Sequence, residues 1–322
     1  MRNKVLGGVV LLAACTASLA HAASIAPAFS GSYTLHDLGP ISGLPPAYGG
    51  LTFAAGDPNT LIIGGEANTS DGLFYSVPVI RGVDNHITGF GAATPLGFGA
   101  FNDGGVTYGP GGVLFYSRWP ENELGQVKPG SATDDKIIDL GALGVAESHA
   151  SLGFVPAGFD GAGSLKLSSW AGGEFYDATL VADGSGTYDV TSIVQTATLP
   201  GGPEGFIWVP IGSPLFGTQS MLVSEFSAGF VAAYEIDGDG NPIVATRQDF
   251  VVDLTGAEGA VIDPLTGDFL FSTFGTAEDR VIRVEGFVPP PPEVPEPGTV
   301  GLMLAGLAAL AIGAQRKRSV SK

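Results

Sequence analysis

Between residues 33 and 288 the apolar positions fall in short runs, alternating or continuous, and Gly, Pro, Asp or Asn interrupts each run. This pattern predicts β-strands joined by tight turns. Residues 60–64, 73–79, 113–117, 165–169, 221–225, 230–236, 269–273 and 281–284 are such runs. No segment between the two ends keeps a sustained 3.6-residue period, so no long amphipathic helix is expected there. Glycine (50) and proline (23) are plentiful, which suits many turns and disfavours a helical bundle.

A longer period underlies the strands. Gly50-Leu51-Thr52-Phe53 is matched by Gly105-Val106-Thr107-Tyr108. Related starts follow at Leu152-Gly153-Phe154-Val155, Gly205-Phe206-Ile207-Trp208 and Gly259-Ala260-Val261-Ile262. Counted from Gly50, Gly105, Gly153, Gly205 and Gly259, the spacings are 55, 48, 52 and 54 residues. Four-stranded units of this length resemble β-propeller blades, which must pack into a closed ring because one blade cannot bury both its faces. The expected fold class is all-β: a β-propeller of five blades, or six if one unit is cryptic. A β-sandwich or twin barrel is the alternative. The last unit has only three strands of its own, so residues 33–38, which precede the first start, are expected to complete it and close the ring.

The two ends are different in kind. Arg2 and Lys4 precede an apolar run over 5–14, and Ala20-His21-Ala22 presents small residues, Ala20 and Ala22, where a signal peptidase reads them, with Ala23 the first mature residue. Leu12-Ala13-Ala14-Cys15 offers a second route as a bacterial lipobox, in which Cys15 is acylated. Cys15 is the single cysteine, so either route leaves no disulfide and no thiol nucleophile. At the other end, prolines 289–292 form a stiff spacer before Pro295-Glu296-Pro297. Residues 299–314 are apolar and uncharged, and Arg316-Lys317-Arg318 follows. Sixteen helical residues at ~1.5 Å each span ~24 Å, which a thin or locally adjusted bilayer accommodates.

This order of Pro-Glu-Pro, short apolar helix and basic cluster resembles the PEP-CTERM sorting tail. The resemblance implies a Gram-negative bacterium that secretes exopolysaccharide. It also implies recognition by a membrane-embedded, exosortase-type transpeptidase, with processing near Pro295, Glu296 and Pro297. Arg316, Lys317 and Arg318 form the membrane stop and stay cytoplasmic, which puts the body outside. A permanent single-span anchor on a proline stalk is the alternative. The expected organisation is a signal peptide at 1–22, a linker at 23–32, the propeller at 33–288, a Pro-rich linker at 289–297, a transmembrane sorting helix at 298–314 and a basic tail at 315–322.

Charge sharpens the picture of the body. Six of the 14 Lys and Arg lie in the terminal segments and all 32 Asp and Glu lie between them, so residues 5–315 carry 8 cations against 32 anions, a net −24. Such a surface cannot neutralise phosphates, which excludes nucleic acid as a partner. Acidic exopolysaccharide is approachable only through divalent cations such as calcium.

Residues at the start of the innermost strands would ring one mouth of a propeller channel. Asp103, Glu147, Glu204 and Glu258 occupy such positions, with His149 nearby. Converging carboxylates need shared protons or a cation, and calcium suits oxygen ligands. Pro203-Glu204-Gly205 and Glu258-Gly259-Ala260 resemble the Glu-Gly start of gluconolactonase-type calcium propellers. The alternative is a solvated loop carboxylate before each strand. Asp237-Gly238-Asp239-Gly240-Asn241 begins like a calcium loop, but Pro242 and Gln248 stand where glycine and a bidentate glutamate are needed, so a hairpin turn is expected. Trp119, Trp170 and Trp208 could stack on sugars or pack between blades. No Gly-x-Ser-x-Gly elbow and no phosphate-binding glycine loop occurs. These features point to an exported structural or binding propeller of the cell surface or exopolysaccharide layer. A calcium-dependent extracytoplasmic hydrolase is the alternative.

Overall fold

The computed structural model describes residues 22–276 and 278–290. The signal peptide, Cys15, the sorting motif, the apolar segment and the basic cluster therefore lie outside the described residues. Within them, the chain begins with β1 (Ser24–Ile25) and β2 (Thr34–Asp37). Blade one comprises β3 (Leu51–Ala54), β4 (Asp57–Gly65), β5 (Leu73–Arg81) and β6 (Ile87–Phe90), and β7 (Thr94–Pro95) also pairs with β5. Blade two is β8 (Asn102–Tyr108), β9 (Leu114–Arg118), β10 (Glu123–Val127) and β11 (Lys136–Asp139). Blade three is β12 (His149–Phe154), β13 (Leu165–Ser169), β14 (Glu174–Ala182) and β15 (Tyr188–Thr198). Blade four is β16 (Pro203–Val209), β17 (Ser220–Glu225), β18 (Phe230–Glu235) and β19 (Gln248–Val252). Blade five is β20 (Ala257–Ile262), β21 (Phe269–Thr273) and β22 (Val281–Glu285).

The described residues form five blades, which settles the choice between five and six. The apolar interior confirms the count, because it divides into five clusters, one for each seam between neighbouring blades. Strand alternation produces this division. In β21, Phe269 and Phe271 face blade four, whereas Leu270 between them faces blade one. In β17, Met221 and Val223 face blade three and Leu222 faces blade five. Side chains two apart point the same way, so a central strand that is apolar throughout supplies both of its seams.

Ring closure follows the expectation: β2 pairs antiparallel with β22, from Thr34 opposite Glu285 to Asp37 opposite Ile282, and becomes the outer strand of blade five. Residues 23–32, expected as a linker, are instead part of the packed body. β1 adds a fifth strand to blade four by pairing with β19. Ala26 and Phe29 are buried behind it, and the Phe29 ring packs on Phe216 and Phe250 at centroid separations of 5.4 and 5.1 Å. Burial of these apolar side chains, rather than propensity, holds the segment down.

Each blade runs antiparallel from the axis outwards. The first and third strands start at one face of the disc, called the upper face below, and the second strand returns to it. Because β22 is a third strand, it ends on the lower face. Val288 leaves there, with its N–H donating to Ser213 Oγ of the β16–β17 loop at 3.3 Å. No helix among the described residues is long and apolar enough to cross a membrane.

Candidate functional site

Small residues allow the inner strands to meet near the axis. A Cβ on Gly105 would lie 2.5 Å from the Leu152 nitrogen, and one on Gly205 would lie 2.5 Å from the Glu258 carbonyl oxygen. On Gly259 it would lie 2.7 Å from Gly50 Cα. Serines on the second strands stitch the ring. Ser117 Oγ accepts from Gly105 N at 2.9 Å and donates to Ala150 O of blade three at 2.7 Å. Ser272 Oγ accepts from Gly259 N at 2.9 Å and donates to Gly49 O of blade one at 2.7 Å. In blade three the matching position is Ser151, which pairs with Ser168, and not the repeat marker Gly153.

Close approach at the upper ends of these strands brings carboxyls together. Asp103 from β8, Glu204 from β16 and Glu258 from β20 are all buried, and one carboxylate oxygen of each lies within 4.8 Å of the others. Asn68 turns its amide nitrogen to the group, donating to Asp103 Oδ1 at 2.9 Å and to Asn102 O at 3.1 Å. Glu204 Oε2 and Glu258 Oε1 are buried without a hydrogen-bond partner.

Electrostatics follow from this crowding. Burial pushes the Asp103 carboxyl up to about 7, although hydrogen bonds with Glu258, Asn68 and the Gly104 N–H oppose the shift. Burial also raises Glu204 and Glu258 well above the usual carboxylate range, and the neighbouring negative charges add to it in both. A desolvated group of three carboxyls cannot all ionise without a compensating cation, so protons occupy it otherwise. Its oxygen donors suit a hard divalent ion such as calcium.

The carboxyls form the floor of a cavity of about 210 Å³ at the upper face. Its wall is aromatic: Trp119, Trp170, Phe226 and Phe274, with Asn68 completing the circuit. Each aromatic residue directly follows the second strand of its own blade, in blades two, three, four and five. Their backbones are held alike, since the four N–H groups donate to Phe101 O, Ser148 O, Gly202 O and Gly256 O at 2.9–3.0 Å. The ring centroids of Trp170 and Phe226 are 6.4 Å apart, and those of Phe226 and Phe274 are 6.1 Å apart, which makes a continuous arc. Trp170 Nε1 donates to Ser227 Oγ at 3.0 Å, fixing its plane.

Of the four expected acids, three converge. Glu147 does not: it is exposed, in the loop before β12, and the blade-three residue at the level of Glu204 is Ala150. His149 is fully buried and outside the cavity wall. Burial holds its pKa down to about 4, so it stays neutral, with only a Ser168 carbonyl contact opposing the shift. Trp208 belongs to the seam between blades three and four, whereas Trp119 and Trp170 reach the cavity. The segment from Asp237 to Asn241 is a turn closed by the Ile236–Pro242 bridge, with Asp237 Oδ1 accepting from the Asp239 and Asn241 N–H groups at 2.9 Å.

The sequence offers Trp119 and Trp170 as stacking candidates but not Phe226 and Phe274, although the four share a signal there. An apolar strand ending in Ser-x-aromatic occurs at Ser117-Arg118-Trp119, Ser168-Ser169-Trp170, Ser224-Glu225-Phe226 and Ser272-Thr273-Phe274. In blade one the same place reads Gly64-Gly65-Glu66, without serine or aromatic ring.

Residues 293–318 match the PEP-CTERM protein-sorting motif. No curated protein matches the chain. Among solved structures, the body is similar to glutaminyl cyclase of Myxococcus xanthus at 14% identity and a TM-score of 0.46, covering 79% of this chain and 97% of that one. It is also similar to a protein described as a putative gluconolactonase (13% identity, TM-score 0.41, 80% and 93% covered). A third likeness is to the PQQ-bound aldose sugar dehydrogenase of Streptomyces coelicolor (14% identity, TM-score 0.37, 77% and 83% covered). At these values the likenesses say nothing about activity.

Proposed function

We propose that this chain is an exported binding protein, delivered by its sorting motif to the cell surface or exopolysaccharide layer, whose propeller takes a small ligand at the upper mouth. One observation carries the binding reading. Four aromatic residues and three buried carboxyls from different blades converge on a single cavity, and two of the carboxylate oxygens have no protein partner. A fold with no use for that mouth would fill it with apolar side chains, because unpaired buried polar groups are destabilising. Delivery is supported by the matched motif at 293–318, by the apolar and basic segments around it, and by the export signal at the other end. Mass spectrometry of the surface-exposed protein tests this. The expected product begins at Ala23, or at a lipidated Cys15, and ends near Pro295, Glu296 and Pro297. Full-length chain in the cytosol, with residues 1–22 attached, overturns delivery.

A second reading is a calcium-dependent extracytoplasmic hydrolase. It is favoured by the convergence of three buried carboxyls whose oxygens lie within 4.8 Å of one another, a donor set that suits a hard divalent ion. Asp103, Glu204 and Glu258 would hold the ion, with Asn68 beside them. Melting of the purified protein with calcium and with chelator separates the readings. A calcium-dependent rise in melting temperature, lost in Glu204→Gln/Glu258→Gln, favours the second; no response to calcium favours the first.

A further inference from the structure

The cavity holds two chemistries that rarely occur together unless one ligand uses both. Its floor is a desolvated group of three carboxyls that ionises fully only with a compensating cation, and Glu204 and Glu258 carry unpartnered oxygens. Its wall is built from the aromatic side chains of Trp119, Trp170, Phe226 and Phe274, and none of the lining residues is basic. A bare divalent ion would satisfy the floor but gain little from the aromatic rings. A neutral sugar would stack on the rings but leave the acidic floor uncompensated. A cation with an apolar jacket satisfies both, because aromatic faces attract it through their quadrupoles and buried carboxylates through their charge.

The geometry points to a small organic ammonium ion, a quaternary or protonated amine, as the ligand of this mouth. This rests on the proposed binding function and names the class of ligand. Size agrees: at about 210 Å³ the cavity exceeds the roughly 150 Å³ that accommodates benzene in an apolar core, so a trimethylammonium head fits. Architecture agrees too. The aromatic side chains occupy one equivalent position in four successive blades, a repeated placement at a surface mouth, while inter-blade packing is handled by other residues in the five apolar seams. In blade one the equivalent position is Glu66, and Asn68, two residues on, lines the cavity and hydrogen-bonds Asp103, which orients one carboxyl.

Calorimetric titration of the full-length chain in detergent tests the class with four probes: choline, its neutral carbon isostere 3,3-dimethylbutanol, calcium chloride and glucose. Choline is expected to bind at least about tenfold more tightly than the neutral isostere. Trp119→Ala/Trp170→Ala is expected to weaken choline binding about tenfold, and Trp119→Phe/Trp170→Phe to restore most of it. Urea unfolding midpoints of both variants identify any loss due to misfolding, and the Phe pair keeps the test open if the Ala pair does not fold. Equal binding of choline and the neutral isostere overturns the proposal. So does binding of calcium alone, or choline binding indifferent to both Trp pairs. Glucose binding without choline binding overturns the ligand class and leaves the binding function standing. Silence of all four probes overturns both.

Discussion

Arg81 at the end of β5 grips Asp263 just beyond β20 with both guanidinium arms, at 2.6 and 3.0 Å, across 182 positions of sequence. The Asp263 side chain is fully buried and that of Arg81 is only 9% exposed, so this is an interior ion pair. Its remaining donors are also placed: Arg81 reaches Asn59 Oδ1, Pro58 O and Asn85 O, and Asp263 accepts from Thr266 Oγ1 and Leu265 N. The pair joins blade one to blade five, the seam at which the ring closes.

Removing one partner strands the other charge in a dry seam. Arg81→Ala is therefore expected to destabilise the protein by about 3–5 kcal/mol, read as a lower urea midpoint. Arg81→Lys keeps the charge but loses the two-armed geometry, and should fall between the two.

Residues 23–32 are structural in this fold, and Phe29 tests that. Phe29→Ala empties a site enclosed by Tyr33, Phe216 and Phe250, and is expected to cost about 3–5 kcal/mol by the same unfolding measurement. Were the segment a linker, the substitution would leave the midpoint unchanged.

The acidic floor makes ligand-free stability depend on pH. Asp103, Glu204 and Glu258 have folded pKa values raised above the unfolded carboxylate range near 4. As pH rises from about 4 towards 7 the unfolded chain loses these protons first, so the native state binds more and stability falls. The unfolding midpoint should be higher at pH 5 than at pH 8. Glu204→Gln/Glu258→Gln should flatten the slope and raise the midpoint at pH 8.

A second pH dependence lies at the closing seam. Burial opposes charge on His86, but its 2.7 Å hydrogen bond to Asp268, the Asp268 charge and the Glu285 charge outweigh that effect and the opposing Arg283, so its pKa rises above 6.5. Its contribution is complete below the unfolded value of 6.5 and is lost as pH rises through the folded value. His86→Gln should lower the midpoint at pH 6 and have less effect at pH 9.

Much of the architecture was legible because closure imposes local rules. Gly50, Gly105, Gly205 and Gly259 recur where inner strands approach too closely for a Cβ, so a geometric need became a visible period. Blade three escaped this rule: Ser151 stands at the close approach, and Gly153 two residues on misplaced the frame. In neither frame does Glu147 directly precede the marker residue as Glu204 and Glu258 do, and it lies in the loop before β12. The early segment 23–32 was misread because β1 has only two residues, too few for an alternation to show. The aromatic wall was harder to find for a physical reason: it is assembled from single residues beyond the second strands, and only the closed ring reveals that those ends share a mouth with the starts of the first strands.

Val288 leaves the disc at its lower face, the side opposite the cavity. Sorting acts on residues 293–318, beyond that exit, so any tether gathered there pulls on the underside of the disc. For a protein tethered as proposed, the mouth with its three carboxyls lies on the face of the disc opposite the attachment.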